Sequence, residues 1–505
     1  MGNYDAKVPP IREARLKAGD TFGGALCELM DCCREGCLIQ KNRSFWQAGS
    51  CQMNGAMMMA GTLEKTVIVN HSPGGCSAQL HFLSFQAAKG MGRRGKPNLS
   101  VPWLSTNLTE SDVIGGGEKK LLETIEYADK TFRPELIFVV LTCAPSIIGD
   151  DLDEVVQTAR GRVNAEIVSL HCPGFKSRIF ASAYDTFYHG LLKTLSFSPK
   201  PWLDYRPIDE NAPDAELRYA AWAWQKAHTV NVWNATSIGS DDEAEVARLL
   251  GALGLTTRIY AEYASRDELR KVSEAALNIS MCDVHDDYIL KYLEEEFGTP
   301  YVIAGMPIGF RHTREWLLAI AAHFHLERQA EALADYEEKI AKDAIAPYAE
   351  KIKGKRVLIY GGAVRAGVEA TVMAELGLEI LGIRTYHYDE GADAVFKDVE
   401  RLSPEATISV STQLFEMTHQ IKTLKPDLVL SHNGTQGYMA KLGVVSVQLF
   451  DMDKVFFGYT GIFQILRRIV FEFKNTSYRD RLSKRIRLPY KQAYFEGNTF
   501  QYIKN

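Results

Sequence analysis

Short runs rich in branched apolar residues recur along this chain, each passing into a loop and then a segment of helical periodicity. KTVIVN, ELIFVVLTC and AEIVSLHC lie in the first 172 residues, HTVNVW, TTRIY and LNISMC in the middle, and RVLIY and KPDLVL towards the end. Runs this continuous in Val, Ile and Leu read as parallel strands covered by helices on both faces. The fold class expected is therefore α/β, with three Rossmann-like domains and mostly parallel sheets.

Proline and charge divide the chain. Ser198 to Leu217 holds Pro199, Pro201, Pro207 and Pro213 with no apolar periodicity and reads as a linker. A long charged helix is expected around Leu326 to Lys342, with Pro347 ahead of a new start at KRVLIYGG. The division expected is 1–205, 218–345 and 350–505, and 505 residues suit three such units. A net charge of -5 carries no footprint for nucleic acid or an anionic membrane. With no long apolar run and no apolar leader at the start, the expected location is the cytoplasm.

Two motifs read as decoys. GMGRRGK, Gly90 to Lys96, satisfies both G-x-G-x-x-G and G-x-x-x-x-G-K, but it follows the helical HFLSFQAAK, and Pro97 stands where a magnesium-binding hydroxyl belongs. A phosphate loop must follow a strand and open a helix, so nucleotide binding is not expected. The crowd Cys27, Cys32, Cys33 and Cys37 fits no zinc module and reads as an amphipathic helix.

Six of nine cysteines lie in the first 76 residues, which suits a reducing compartment better than a disulfide framework. Cys76, Cys143, Cys172 and Cys282 each fall at or just beyond a strand end, where ligands gather in sheets of this kind. For any one of them core packing is the plain alternative.

The segments GSCQMNGAMMMAGTLEKTVIVNHSPGGCSAQL and PELIFVVLTCAPSIIGDDLDEVV resemble the cluster-binding segments of nitrogenase component 1 subunits: a first Cys, a second about 25 residues on in an H-x-P-x-G-C loop, and a third before IGDD. The resemblance implies Cys51, Cys76 and Cys143 as thiolate ligands of a P-cluster type eight-iron cluster shared with a homologous K-type subunit, and cluster sites lying between domains. NISMCDVHDDYILKYLEEEFGTPYVIAGMPIGF resembles the catalytic alpha, or D, subunit and implies Cys282 as ligand of a nitrogenase-type iron-sulfur cofactor, expected to be iron-only. RVLIYGG adds Gly361, Gly362 and Arg365 as cofactor-binding residues, the glycines allowing close backbone approach.

The departures bear on the reaction. The family's second cofactor ligand is a C-terminal His, yet the last histidine is His432. Counting back from GYTG puts Gln448 in its place and counting on from Gly443 puts Phe450, and both stay open. After HCPGF, Phe180 and Tyr184 replace a polar pair, an apolar wall suited to a carbon-bearing substrate, with Tyr184 a possible proton donor; aromatic core packing is the alternative. Among nitrogenase-like families the chain is most similar to methylthio-alkane reductase. That implies C–S cleavage of a small volatile sulfide, a heterotetramer, and electrons from an ATP-dependent iron protein. A cofactor-assembly scaffold and a nitrogenase acting on another substrate are the alternative readings.

Overall fold

The computed structural model describes residues 4–31, 51–78, 81–97, 100–197, 202–203, 206–234, 237–410, 413–431, 435–449 and 454–500. An N-terminal segment carries a helical turn at Arg12–Arg15 and a strand, β1 (Phe22–Ala25). The first α/β unit follows. Its sheet has the order β3-β2-β4-β5, from β2 (Thr66–His71), β3 (Trp103–Ser105), β4 (Leu136–Leu141) and β5 (Glu166–His171), all parallel. Every residue of β2 and β4 is buried, as continuous apolar runs between two helical layers require.

Helix α1 (Gln52–Ala60) leads into β2, α2 (Gly74–Ala78) and α3 (His81–Arg93) follow it, α4 (Cys143–Ile148) follows β4, and α5 (Ser182–Thr194) follows β5. Helices α1 and α5 pack closely because Gly55 has no side chain: a Cβ there would lie 2.6 Å from Ala183 Cβ and 2.8 Å from Phe180 Cζ. The second sheet is also wholly parallel, in the order β7-β6-β8-β9, with β6 (Thr229–Asn234), β7 (Thr256–Ala261), β8 (Leu277–Ser280) and β9 (Tyr301–Val302). Helices α6 (Ser240–Ala252) and α7 (Asp287–Phe297) belong to it.

Helix α8 (Glu327–Ile352) extends ten residues past Lys342, where the expected stretch ends, and it runs through Pro347. Proline removes one i→i−4 bond, here to the carbonyl of Asp343, and Asp343 is exposed, so solvent can take the place of the lost donor. The third sheet has the order β14-β13-β10-β11-β12-β1, from β10 (Arg356–Gly361), β11 (Glu379–Thr385), β12 (Thr407–Val410), β13 (Leu428–Ser431) and β14 (Val445–Gln448), with α9 (Ala363–Glu375) after β10.

The expected strands and the α/β class with mostly parallel sheets are present, and two details correct the expected boundaries. Strand β1 lies within the first 205 residues yet pairs antiparallel with β12, closing an edge of the third sheet. Ala18–Gly19 likewise pairs with Tyr388–Asp389. A second correction concerns the linker: the helix Ala215–Ala227 begins before Leu217.

One apolar core runs through all three units, including Phe138, Phe187, Trp233, Trp316, Phe396 and Phe456. Each such side chain contributes about 1.5–3 kcal/mol by leaving water. Among the described residues no helix is long and apolar enough to cross a membrane.

Candidate functional site

Cys51, Cys76 and Cys143 come from three separate loops and converge. Cys51 caps the N-terminus of α1, Cys76 lies in α2, and Cys143 opens α4 immediately after β4. Helix N-termini present unpaired N–H groups and favour thiolate over thiol. The meeting point is Gly174, where a Cβ would stand 3.1 Å from Cys51 Cβ, 3.6 Å from Cys51 Sγ and 3.7 Å from Cys143 Sγ. Burial pushes the Cys76 thiol up, and the nearness of Cys51 and Cys143 adds to it. Cys51 is raised by burial as well, against the N–H groups of Asn54 and Met53. Closely placed thiols such as these gain from a shared cationic centre. Among the described residues no three Cys, His, Asp or Glu side chains stand close enough to hold a single metal ion.

A polar brace explains the flanking H-x-P-x-G-C and IGDD. His71, the last residue of β2, has Nε2 at 2.9 Å from Asp150 Oδ2 and Nδ1 at 3.1 Å from Thr106 Oγ1, and Gly117 N donates to Asp150 Oδ1 at 3.1 Å. Burial lowers the His71 pKa, although Asp150 works against it. The brace thus ties the Cys76 loop to the turn after Cys143.

Cys282 stands apart, two residues beyond β8, and it is buried. Burial pushes its thiol far up, with Asp283 adding to the shift and Arg365 opposing it. Its N–H donates to Ser280 Oγ at 3.0 Å, and that hydroxyl lies 2.7 Å from Asp286 Oδ2, whose other oxygen accepts from Tyr188 at 2.7 Å. Burial raises Asp286 to about 7 against these two donors.

The expected wall is placed against this region. Phe180 and Tyr184 meet edge to face with ring centres 5.9 Å apart, and Tyr184 lies over His285 at 4.1 Å. His285 N donates to Cys282 O at 2.9 Å, so the aromatic row runs from α1, which Cys51 caps, to the turn that carries Cys282. Tyr184 is 3% exposed, so it is also a core residue. The sequence reading passed over His285; its place three residues after Cys282 was the available signal.

The third unit adds its residues at the carboxyl ends of its strands. Gly361 ends β10 and Gly362 caps α9; a Cβ on Gly362 would meet nothing within 4 Å, so open space lies beside the backbone there. The Arg365 guanidinium donates to Leu449 O at 3.2 Å and to Ser237 O, joining the second and third units. Gln448 ends β14, and its Oε1 accepts from Gln436 at 2.7 Å. Phe450, His432 and the cysteines Cys32, Cys33 and Cys37 lie outside the described residues, while Cys27 is exposed on the short helix Leu26–Asp31.

GMGRRGK opens no helix. Gly90 to Arg93 form the last turn of α3, and a Cβ on Gly90 would sit 2.2 Å from Tyr263 Oη, so this glycine serves close packing.

With the geometry in view, the comparisons agree on the family. The model for nitrogenase component 1 type oxidoreductases matches residues 51–474. A nitrogenase iron-molybdenum cofactor biosynthesis protein NifE of Methanococcus maripaludis is 26% identical over 427 residues, 83% of this chain and 82% of that protein. A nitrogenase molybdenum-iron protein alpha chain of Methanothermobacter marburgensis is 24% identical over 446 residues, 86% of this chain and 87% of that protein. The solved structure "Nitrogenase Cp1 at pH 5" shares the fold with a TM-score of 0.69 at 21% identity, covering 90% of this chain and 94% of that one. The chain belongs to the nitrogenase component 1 type oxidoreductase family.

Proposed function

We propose that this chain is the catalytic D-type subunit of a nitrogenase-like reductase that cleaves C–S bonds of small methylthio-alkanes. The balance is R–S–CH3 plus two electrons and two protons to R–H and CH3SH. One observation carries the reading: the row Phe180, Tyr184 and His285 walls the turn of Cys282 with aromatic rings, which suits a carbon-bearing substrate.

Cys51, Cys76 and Cys143 fit a multi-iron cluster, because Cys51 and Cys143 meet at Gly174 and Cys76 lies near both, without the three closing on a single ion. A homologous K-type subunit would supply the remaining ligands, in a heterotetramer. Cys282 fits a second iron-sulfur group, with the Arg365 charge acting on it and open space at Gly362, near Arg365 in the same segment. When bound, these groups store and pass low-potential electrons delivered by an ATP-hydrolysing iron protein. The chain's own residues bind, position and insulate. Arg365 holds the loops of Ser237 and Leu449 together, His71 and Asp150 brace the thiol loops, and Tyr184 bears the one hydroxyl of the aromatic wall.

A scaffold for cofactor assembly is the second reading, favoured by the likeness to the NifE relative. The deciding experiment uses the anaerobically purified complex with its partner subunit and iron protein, supplied with ATP, reductant and a methylthio-alkane. Methanethiol and the hydrocarbon, from an iron-rich, molybdenum-poor enzyme, are expected. A loaded complex that forms neither product but passes its cofactor to another apo-enzyme would make it the scaffold.

A further inference from the structure

His387 is buried, 7% exposed, and among the described residues neither ring nitrogen has a hydrogen-bond partner. A desolvated imidazole with both nitrogens orphaned costs free energy that folded proteins rarely leave uncompensated, and one unfilled explanation is a ligand. Its position supports that explanation. It lies two residues past Thr385, the end of β11, which stands in register with Gly361 at the end of β10. This is the carboxyl edge of a parallel sheet, where ligands bind, and Gly362, the residue after Gly361, has open space beside its backbone. Other polar atoms at this edge are also orphaned: Thr385 Oγ1 ends β11 and Ser431 Oγ ends β13.

The His387 loop reaches the Cys282 turn. Gly391, four residues on, packs so closely on the second unit that a Cβ there would lie 3.4 Å from Asp283 O. Asp389 acts electrostatically on both His387 and Asp283, the residue after Cys282. The C-terminal position expected to supply a second ligand offers no imidazole, and the Gln448 oxygen is already engaged by Gln436.

We propose that His387 is the second protein ligand, with Cys282, of the iron-sulfur group bound between the second and third units. The lone pair of one neutral ring nitrogen goes to a metal, with no change of oxidation state. The inference rests on the functional reading only in requiring a group at Cys282.

The test uses the anaerobic complex in wild-type, His387→Ala and His387→Gln forms. Pulsed EPR of the reduced protein should show nitrogen coupling on the Cys282-dependent signal, lost in both variants. Retention of that iron during gel filtration should weaken by roughly tenfold or more, and imidazole added to His387→Ala should restore part of it. His387→Gln guards against misfolding of the smaller variant, with the melting temperature as control. Unchanged nitrogen coupling in a folded variant, or an imidazole found bonded only to water, would overturn the assignment while leaving the cofactor at Cys282 intact. A wild-type complex with triad iron but no Cys282-dependent iron would remove the functional reading and the ligand assignment together.

Discussion

Nε of Arg12 donates to Oδ2 of Asp389 at 2.8 Å, and the rest of the same guanidinium reaches Asp185 Oδ1 at 3.1 Å and Asp287 Oδ1 at 3.2 Å. The three carboxylates belong to the third, first and second α/β units, so one fully buried side chain from the N-terminal segment bonds to all of them. Arg15 adds contacts to Asp185 and Asp287.

Arg12→Leu should therefore destabilise the protein by about 3–5 kcal/mol, since it strands the buried Asp389 without its paired cation and leaves Asp185 and Asp287 with fewer partners. Arg12→Lys should not restore it, because an ammonium lacks the planar fork that serves three acceptors. Denaturant midpoints of the three proteins check this; equal midpoints would reduce the cluster to incidental contact.

Asp242, in α6, accepts N–H bonds from Phe456 at 2.6 Å and Phe457 at 3.0 Å. Burial raises its pKa to about 7 despite these donors and Arg365. The folded state thus binds the proton more tightly than the unfolded chain, whose carboxylate titrates near about 3.9. The resulting stability is fully present below pH ~4 and is lost as pH rises to ~7, with a slope approaching ~1.4 kcal/mol per pH unit. Asp242→Asn keeps an acceptor and should flatten that part of the pH–stability curve relative to wild type; parallel curves would disprove it.

The two thiol sites should lose metal independently. Cys76→Ala should remove most triad iron and weaken subunit association, whereas Cys282→Ala should abolish turnover and leave the triad iron in place. Iron per protein and sedimentation measure both. Loss of all iron from Cys282→Ala would mean that its role is misassigned.

Gly174→Val puts methyl groups into the space between the Cys51 and Cys143 sulfurs, where even a Cβ stands 3.6 and 3.7 Å away. We expect loss of at least about half the triad iron with little change in melting temperature, since the group displaced is a ligand rather than core. Full iron loading would place the cluster elsewhere.

Tyr184→Phe keeps the ring packed on His285 and removes the hydroxyl. If that hydroxyl delivers a proton, C–S cleavage should fall by about 100-fold at unchanged iron content. An unchanged rate would leave Tyr184 a core residue.

Much of this molecule is readable locally. Strands β2, β4 and β6 are buried on both faces and are spelled by their own apolar runs, and the cysteine loops stand at strand ends because the local pattern alternates strand, loop and helix. The GMGRRGK decoy is resolved the same way, by the helix that precedes it.

Other features depend on residues hundreds of positions apart, which no local period encodes. The pairing of β1 with β12 joins residue 22 to residue 410, and Arg12 is an ordinary basic residue in sequence that becomes the most buried cation of a three-unit junction. His387 lies in the unremarkable stretch TYHYDEG; what marks it out is burial with neither ring nitrogen hydrogen-bonded among the described residues. The sequence by itself determined the parallel α/β architecture, because strand periodicity is a property of neighbours along the chain, and a family resemblance in its motifs singled out Cys51, Cys76, Cys143 and Cys282. Tertiary structure decided how the three units are clasped and which polar groups are left unsatisfied, because desolvation and pairing are settled only when distant segments meet.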